Sequence, residues 1–223
     1  MGYELDFSAI AANAGLLAEG IGITLLLTVL TAALGVTLSV GAAVAGLRGP
    51  RLVRWLVIAY VEVVRNTPFI VQLFFIFFGL PSLGLRLSAF AASVIAMTVN
   101  LGAYGSEIVR AGILAVPAGQ VEAAMAFGLR PRAVFWRVVM PQATRTVFPA
   151  FASQIVIMML ESSVVSQIAV TDLTHVADFI QSRTYRAFET YFVTAAIYLA
   201  LATALRGLID WVGWRLFFTW KVQ

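Results

Sequence analysis

The stretch GIGITLLLTVLTAALGVTLSVGAAVAGL, residues 20–47, contains no charged side chain and is rich in leucine, valine, threonine and alanine. At about 1.5 Å of rise per residue, a helix of this length exceeds the roughly 30 Å thickness of bilayer hydrocarbon. The stretch therefore predicts a membrane-spanning helix.

The composition of the whole chain also indicates a protein that lies in a lipid bilayer. Of its 223 residues, 61% are hydrophobic and only 12% are charged, whereas about 25% are charged in ordinary soluble domains. The stretches long enough to span are about 20–47, 52–80, 87–114, 149–170 and 191–208. We therefore expect residues 1–223 to form one all-α integral membrane domain with five transmembrane helices. Trp211, Trp214 and Trp220 suit the headgroup region that would follow the last span.

The distribution of basic residues predicts the orientation. On one side of the predicted spans lie Arg48, Arg51, Arg54, Arg110, Arg130, Arg132, Arg137, Arg145, Arg206, Arg215 and Lys221. The other side carries only Arg86, Arg183 and Arg186. Because basic loops stay in the cytoplasm, we expect an external N-terminus and a cytoplasmic C-terminus. The N-terminus, MGYELDFSAI, has acids where a signal peptide needs basic residues, so we expect no cleaved signal.

The segment between the third and fourth predicted spans, residues 115–148, is then cytoplasmic. Its central part, EAAMAFGLRPRAVFWRVVMP (residues 122–141, the EAA segment), is basic but also densely apolar. Glu122 and the following alanines favour a short helix. Gly128 permits a tight turn, and Pro131 suits the first turn of a second helix. By physical chemistry alone, the segment either lies on the lipid surface or docks into a partner protein.

Polar residues within the predicted second and third spans are candidates for a functional site, because ionisable groups at membrane depth are costly. Glu62 and Arg65 are three residues apart and could pair on one helical face. Gln72 follows on the same span. Asn100 and Tyr104 are four apart and share a face. For each of these residues, helix–helix bonding and contact with a transported solute both remain open.

The fourth predicted span carries a second polar group. Gln154 and Glu161 are seven residues apart, hence nearly on one helical face, and Ser162 follows directly. Glu161 could bind an ammonium or cationic group, be buried and neutral, or pair with Arg65.

Several classes of function are not indicated. The chain has no cysteine, its lone His175 suggests no metal site, and no Gly-x-x-x-x-Gly-Lys sequence is present for ATP hydrolysis. No nucleophile and base pattern is evident among the serines. The arginines lie in separate short loops, which argues against a nucleic-acid partner. We expect a non-catalytic chain that binds no metal or cofactor of its own.

The EAA segment resembles a family pattern, E-A-A-x3-G-x9-I-x-L-P, found in the permease subunits of ABC importers. The residues that hold the pattern are Glu122, Ala123, Ala124, Gly128 and Pro141. Val138 and Met140 stand at its aliphatic positions. In that family the segment forms a coupling helix that seats on a cytoplasmic ATPase, so the resemblance favours docking over lipid adsorption.

The resemblance extends to the polar amino-acid branch of that family, which includes histidine, arginine, glutamine and opine importers. The matching stretches are EVVRNTPFIVQLFFIFFGLP (residues 62–81), NLGAYGSEIVRAG (residues 100–112) and ESSVVSQIAVTDL (residues 161–173). The last departs from the usual pattern, since Leu160 replaces a basic residue and Glu161 replaces Asp or Asn. The lost positive charge favours basic amino acids.

The resemblance implies a type I ABC importer permease in a bacterial inner membrane. It implies a second permease subunit, identical or a sister chain, and a cytoplasmic ATPase dimer that binds ATP and magnesium. It also implies an external solute-binding protein that delivers a polar amino acid. Two alternatives belong to other classes: a self-sufficient secondary transporter or channel for small polar solutes, and a membrane scaffold or sensor.

Overall fold

The computed structural model describes residues 4–218, so Trp220 and Lys221 lie outside it. Over that range the chain is helical and contains no strand. The helices are α1 (Ser8–Ala12), α2 (Ala14–Arg48), α3 (Arg51–Arg65), α4 (Phe69–Phe74), α5 (Ala89–Leu114), α6 (Ala118–Ala126), α7 (Pro131–Val134), α8 (Met140–Glu161), α9 (Leu173–Thr184) and α10 (Ala187–Phe218). Four of the described helical segments are long and apolar enough to cross a membrane: Ala14–Arg48, Ala89–Leu114, Pro131–Ile168 and Ala187–Phe217.

The predicted second span is two helices rather than one. Arg51–Arg65 and Phe69–Leu83 are bent by 110° relative to each other, and the described chain has five candidate spans if this pair is counted as one. Pro68 lacks a backbone N–H and disfavours helical geometry in the residue before it. Side chains satisfy the freed carbonyls: Thr67 Oγ1 donates to that of Val63 at 2.9 Å, and Gln72 Nε2 donates to that of Val64 at 2.7 Å.

The predicted fourth span begins earlier than expected. Instead of starting at Pro149, the apolar helical segment runs from Pro131 to Ile168 with Pro149 inside α8. The predicted loop 115–148 is therefore mostly helical, and its second half continues directly into the span. The second half of the EAA segment and the fourth span consequently form one continuous helical segment.

The helices α2 and α5 pack closely because small residues line their contact. A Cβ atom on Gly105 would collide with the Ser39 side chain and lie 2.9 Å from the Phe151 ring. Ser39 Oγ donates to the Gly35 carbonyl at 2.6 Å and to the Leu101 carbonyl at 3.2 Å, linking the two helices. This contact holds the third span against the first.

We expect Gly105→Ala to destabilise the protein by about 1–3 kcal/mol, the usual cost of overpacking a tight contact. Gly22→Ala is the matched control, because nothing lies within 4 Å of a Cβ placed there. Thermal unfolding in detergent, followed by the fluorescence of the five tryptophans, measures the difference. Equal melting temperatures for the two variants would contradict this packing.

At the end of the bundle opposite the EAA segment, hydrogen bonds hold α9 against the first and last spans. Asp172 caps α9 by accepting from the His175 N–H at 3.0 Å, and the Tyr198 hydroxyl donates to it at 3.2 Å. Burial raises the pKa of the Asp172 carboxyl to about 6. The N–H of Leu173 donates to Thr24 Oγ1 at 3.2 Å, so α2 reaches from α9 to the EAA segment.

Candidate functional site

The break between α3 and α4 positions Gln72 against the third span. Gln72 Nε2 donates to the Val64 carbonyl at 2.7 Å and to the Thr67 carbonyl at 2.9 Å. Its Oε1 accepts from Asn100 Nδ2 at 3.2 Å. Asn100 is only 4% exposed, so this pair is an interior polar contact. Two residues that the sequence singled out separately therefore meet.

Arg65 lies on the same side, next to Tyr104. Its Cζ is 5.5 Å from the centroid of the Tyr104 ring, within the range of a cation–π contact. Arg65 Nη1 is 3.9 Å from Glu107 Oε2, a loose ion pair. Glu107 instead forms two short hydrogen bonds with Arg110, at 2.9 and 2.8 Å. Arg65 thus retains much of its capacity for hydrogen bonding.

The predicted pairing of Glu62 with Arg65 is not observed. Glu62 Oε2 accepts from Asn66 Nδ2 at 2.9 Å, while Arg65 extends across to α5. Asn66 follows Glu62 by one helical turn, and this i, i+4 spacing places its amide over the carboxylate. The alternative pairing of Arg65 with Glu161 is not observed either.

These residues surround a small polar cavity. It has a volume of about 280 Å³ and is lined by Val61, Glu62, Arg65, Asn66 and Tyr104. A neighbouring cavity of about 290 Å³ shares Val61 and Glu62 and is also lined by Glu107 and Arg110. A cation and an acid therefore face one space, an arrangement suited to a small solute that carries both charges.

Of the polar side chains predicted on the fourth span, some are already hydrogen-bonded within the described chain and others have no such bond there. Ser162 is fully buried, and its hydroxyl donates to the Met159 carbonyl at 2.6 Å. Gln154 and Glu161 are partly exposed, and neither has a side-chain hydrogen bond or ion pair within residues 4–218. No bond joins this group to Gln72 or Asn100. Both groups adjoin a shared apolar cluster that contains Leu73, Met97, Leu101, Met158 and Val165.

The EAA segment folds as its residue pattern predicts. The helix α6 contains Glu122, Gly128 has φ of 80°, and Pro131 is the first residue of α7. Ala124 is buried in a cluster with Val134, Phe135 and Val139. Apart from Ala124 and the partly buried Val121, the residues of α6 and its C-cap are all exposed: Ala118, Gly119, Gln120, Glu122, Ala123, Met125, Ala126 and Phe127. Phe127 is 89% exposed, so an apolar surface is presented outward.

Two contacts were missed by reasoning from the sequence. Arg48, counted only as a basic loop residue, lies with its Cζ 3.6 Å from the centroid of the Phe135 ring. The Glu107–Arg110 pair was visible as an i, i+3 spacing, but its loose contact with Arg65 was not. Among residues 4–218, no group of three or more potential ligands that could hold a metal ion is present.

Comparison with known proteins places the chain in a family. Residues 35–217 match the family described as binding-protein-dependent transport system inner membrane component. The L-cystine transport system permease protein TcyB of Bacillus subtilis (strain 168) is 36% identical over 197 residues, covering 88% of this chain and 84% of TcyB. The arginine transport system permease protein ArtQ of the same organism is 34% identical over 203 residues, covering 91% of this chain and 93% of ArtQ.

A solved structure shows the same fold. The crystal structure of an amino acid ABC transporter with histidines matches with a TM-score of 0.89 at 37% identity, covering 96% of this chain and 100% of that one. This likeness confirms the predicted all-α permease fold. The family also confirms a non-catalytic, multi-pass inner-membrane subunit, with ATP hydrolysed on a partner ATPase. The chain belongs to the binding-protein-dependent transport system inner membrane components and is the permease subunit of an ABC importer.

Proposed function

We propose that this permease imports a polar amino acid, with a preference for basic ones, and that it works with a cytoplasmic ATPase dimer, a second permease subunit and an external solute-binding protein. The observation that carries the substrate proposal is the polar cavity at the helix break, where Arg65 faces Tyr104 beside the Gln72–Asn100 pair. TcyB and ArtQ carry L-cystine and arginine by name, which supports an amino-acid substrate.

Each part of an amino acid has a candidate partner. Arg65 suits the carboxylate, because a guanidinium can donate two parallel hydrogen bonds to it. Glu62, which lines the same cavity as Arg65, suits the ammonium. Glu161 lines neither cavity, and it is a candidate for a cationic side chain because its carboxylate has no ion pair within residues 4–218. Gln154, Tyr104, Asn100 and Gln72 supply further donors and acceptors. Ser162 is fully buried and its hydroxyl is already bonded to the Met159 carbonyl, so it supports the span and does not face the solute.

The EAA segment provides the attachment to the ATPase. Glu122, Ala123, Met125 and Phe127 form an exposed face on α6 and its C-cap, whereas Ala124 anchors the helix from behind. Gly128 forms the turn after α6, and Pro141 lies in the first turn of α8. Closure of the ATPase dimer on ATP and magnesium would displace α6. The apolar cluster that packs Ala124 against Val134 and Phe135 would pass this displacement to the spans, so that the cavity shifts between two states.

Two tests address this function in separate ways. Uptake of radiolabelled L-arginine, L-histidine and L-glutamine by the complete complex in liposomes tests the substrate class. Uptake of none of the three, with ATP hydrolysis intact, would overturn the amino-acid proposal. Uptake by the chain alone, without an ATPase, would instead return the secondary transporter as the better description.

We further propose that the N-terminus is external and the C-terminus cytoplasmic. The chain has no cysteine, so single cysteines can report sidedness. We expect Ser182→Cys on α9 to react with a membrane-impermeant maleimide in intact spheroplasts, and Arg54→Cys to react only after permeabilisation. Both positions are exposed. The reverse pattern would invert the topology and place the EAA segment outside, where no ATPase could reach it.

A further inference from the structure

Arg48 ends α2 and contacts a ring that belongs to the EAA segment. Its Cζ lies 3.6 Å from the centroid of Phe135, whose side chain is only 3% exposed. The guanidinium makes a cation–π contact with the outer face of this buried ring, since Arg48 itself is exposed. Within residues 4–218, Arg48 has no hydrogen bond or ion pair with another side chain, so the ring is its principal partner.

Phe135 occupies the point where the EAA segment joins the fourth span. It begins a π-helical turn, Phe135–Val139, between α7 and α8. Around it pack Ala124 of α6, Val44 of α2 and Ile113 of α5. The exposed face of α6 is therefore supported from behind by the inner ends of two spans, and Arg48 is the charged group in that support.

The other end of α2 contacts the outer helix α9. A Cβ on Gly20 would lie 3.0 Å from Leu173 Cα, and Thr24 Oγ1 accepts from the Leu173 N–H. A single 35-residue helix thus connects the EAA segment with the opposite face of the bundle. The apolar contact of Val44 can slide, whereas a cation held over a ring has a preferred position.

We infer that Arg48 is a positioning residue that transmits displacement of the EAA segment to α2, and through α2 to the outer end of the bundle. This role rests on the proposed function, in which α6 docks on the ATPase. Arg48 does not contact the substrate cavity. It sets the relative position of two elements that must move together when nucleotide binds.

The experiment uses the complete complex in nanodiscs with a reporter at His175→Cys, a partly exposed position on α9 that lines a cavity together with Leu16 and Glu19 of α2. The rate of its reaction with N-ethylmaleimide is followed by intact mass, with and without MgAMP-PNP. Variants are Arg48→Met, Arg48→Lys, Phe135→Leu and the double variant Arg48→Met/Phe135→Leu. Arg51→Met is the control, since Arg51 is an exposed arginine that has no ring contact or ion pair in the described part of the chain.

We expect nucleotide to change the labelling rate by about tenfold with Arg48, and by less than about twofold in Arg48→Met and in Phe135→Leu. The double variant should be no worse than either single one, because both remove the same contact. Arg48→Lys should keep an intermediate response, and Arg51→Met a full one. ATPase co-purification and ATP hydrolysis without amino acid should be retained in Arg48→Met, Arg48→Lys and Arg51→Met.

A full nucleotide response in Arg48→Met would overturn the inference, as would additive effects of the two single variants. A lowered melting temperature with an unchanged response would also overturn it, since it would reduce Arg48 to a structural contact. Failure of the ATPase to co-purify with the unsubstituted chain is a separate result. It would overturn the proposed function and, with it, this role for Arg48.

Discussion

Glu122→Arg will reduce the amount of ATPase that co-purifies with the permease by at least about tenfold, the effect expected for reversing a charge at a protein interface. Glu122 lies on the exposed face of α6, beside Ala123 and opposite the buried Ala124. The EAA segment already carries Arg130, Arg132 and Arg137, so the substitution leaves an unrelieved positive surface. Quantification of the eluted subunits in detergent measures the loss.

Glu4→Arg is the matched control for that experiment. It makes the same change of charge at an exposed acid near the opposite end of the bundle, where no ATPase would dock. We expect it to leave co-purification unchanged. An equal loss in both variants would point to general instability, and no loss in Glu122→Arg would mean that the exposed face of α6 is not the docking surface.

Arg65→Met will remove most of the preference of the transporter for an amino acid over the corresponding amine without a carboxylate. We expect uptake of the carried amino acid to fall by about tenfold to a hundredfold, because a site built to bond a charged group loses that much when the partner is removed. The physical basis is the cavity at the helix break, where the Arg65 side chain is held only loosely by Glu107 at 3.9 Å.

A comparison of substrates separates recognition from stability. In the unsubstituted transporter, the amino acid should be preferred over the amine that lacks its carboxylate, and this preference should nearly vanish in Arg65→Met. Arg86→Met, at an exposed arginine in the segment before α5, should keep the preference. If Arg65→Met reduces uptake of both compounds equally, Arg65 holds the helices together and the carboxylate binds elsewhere.

The EAA segment could be predicted from the sequence because its determinants are local. Helix-forming alanines, Gly128 at positive φ and Pro131 in a first turn act over a few residues, and each is found where expected. The apolar length of the spans is local in the same sense. The bond between Ser162 and the Met159 carbonyl also follows a local habit of helical serines, and the sequence could have warned that this hydroxyl was occupied.

The arrangement of the site could not be predicted, because it depends on contacts distant in the chain. Pro68 is visible in the sequence, but it predicts neither the 110° angle of the bend nor the contact of Gln72 with Asn100. The partner of Arg65 is chosen by the approach of α5, which the i, i+3 spacing with Glu62 does not reveal. Arg48 and Phe135 are 87 positions apart, and their contact exists only because the EAA segment folds back against α2.

The central claim is that this chain moves a polar amino acid only when an attached ATPase uses ATP. The most direct measurement is uptake of radiolabelled amino acid into liposomes that contain the co-purified complex, with its solute-binding protein outside and MgATP or MgAMP-PNP inside. The account predicts accumulation with MgATP, none with MgAMP-PNP, and none for complexes carrying Glu122→Arg. Equal uptake with both nucleotides, or by the purified chain alone, would contradict it.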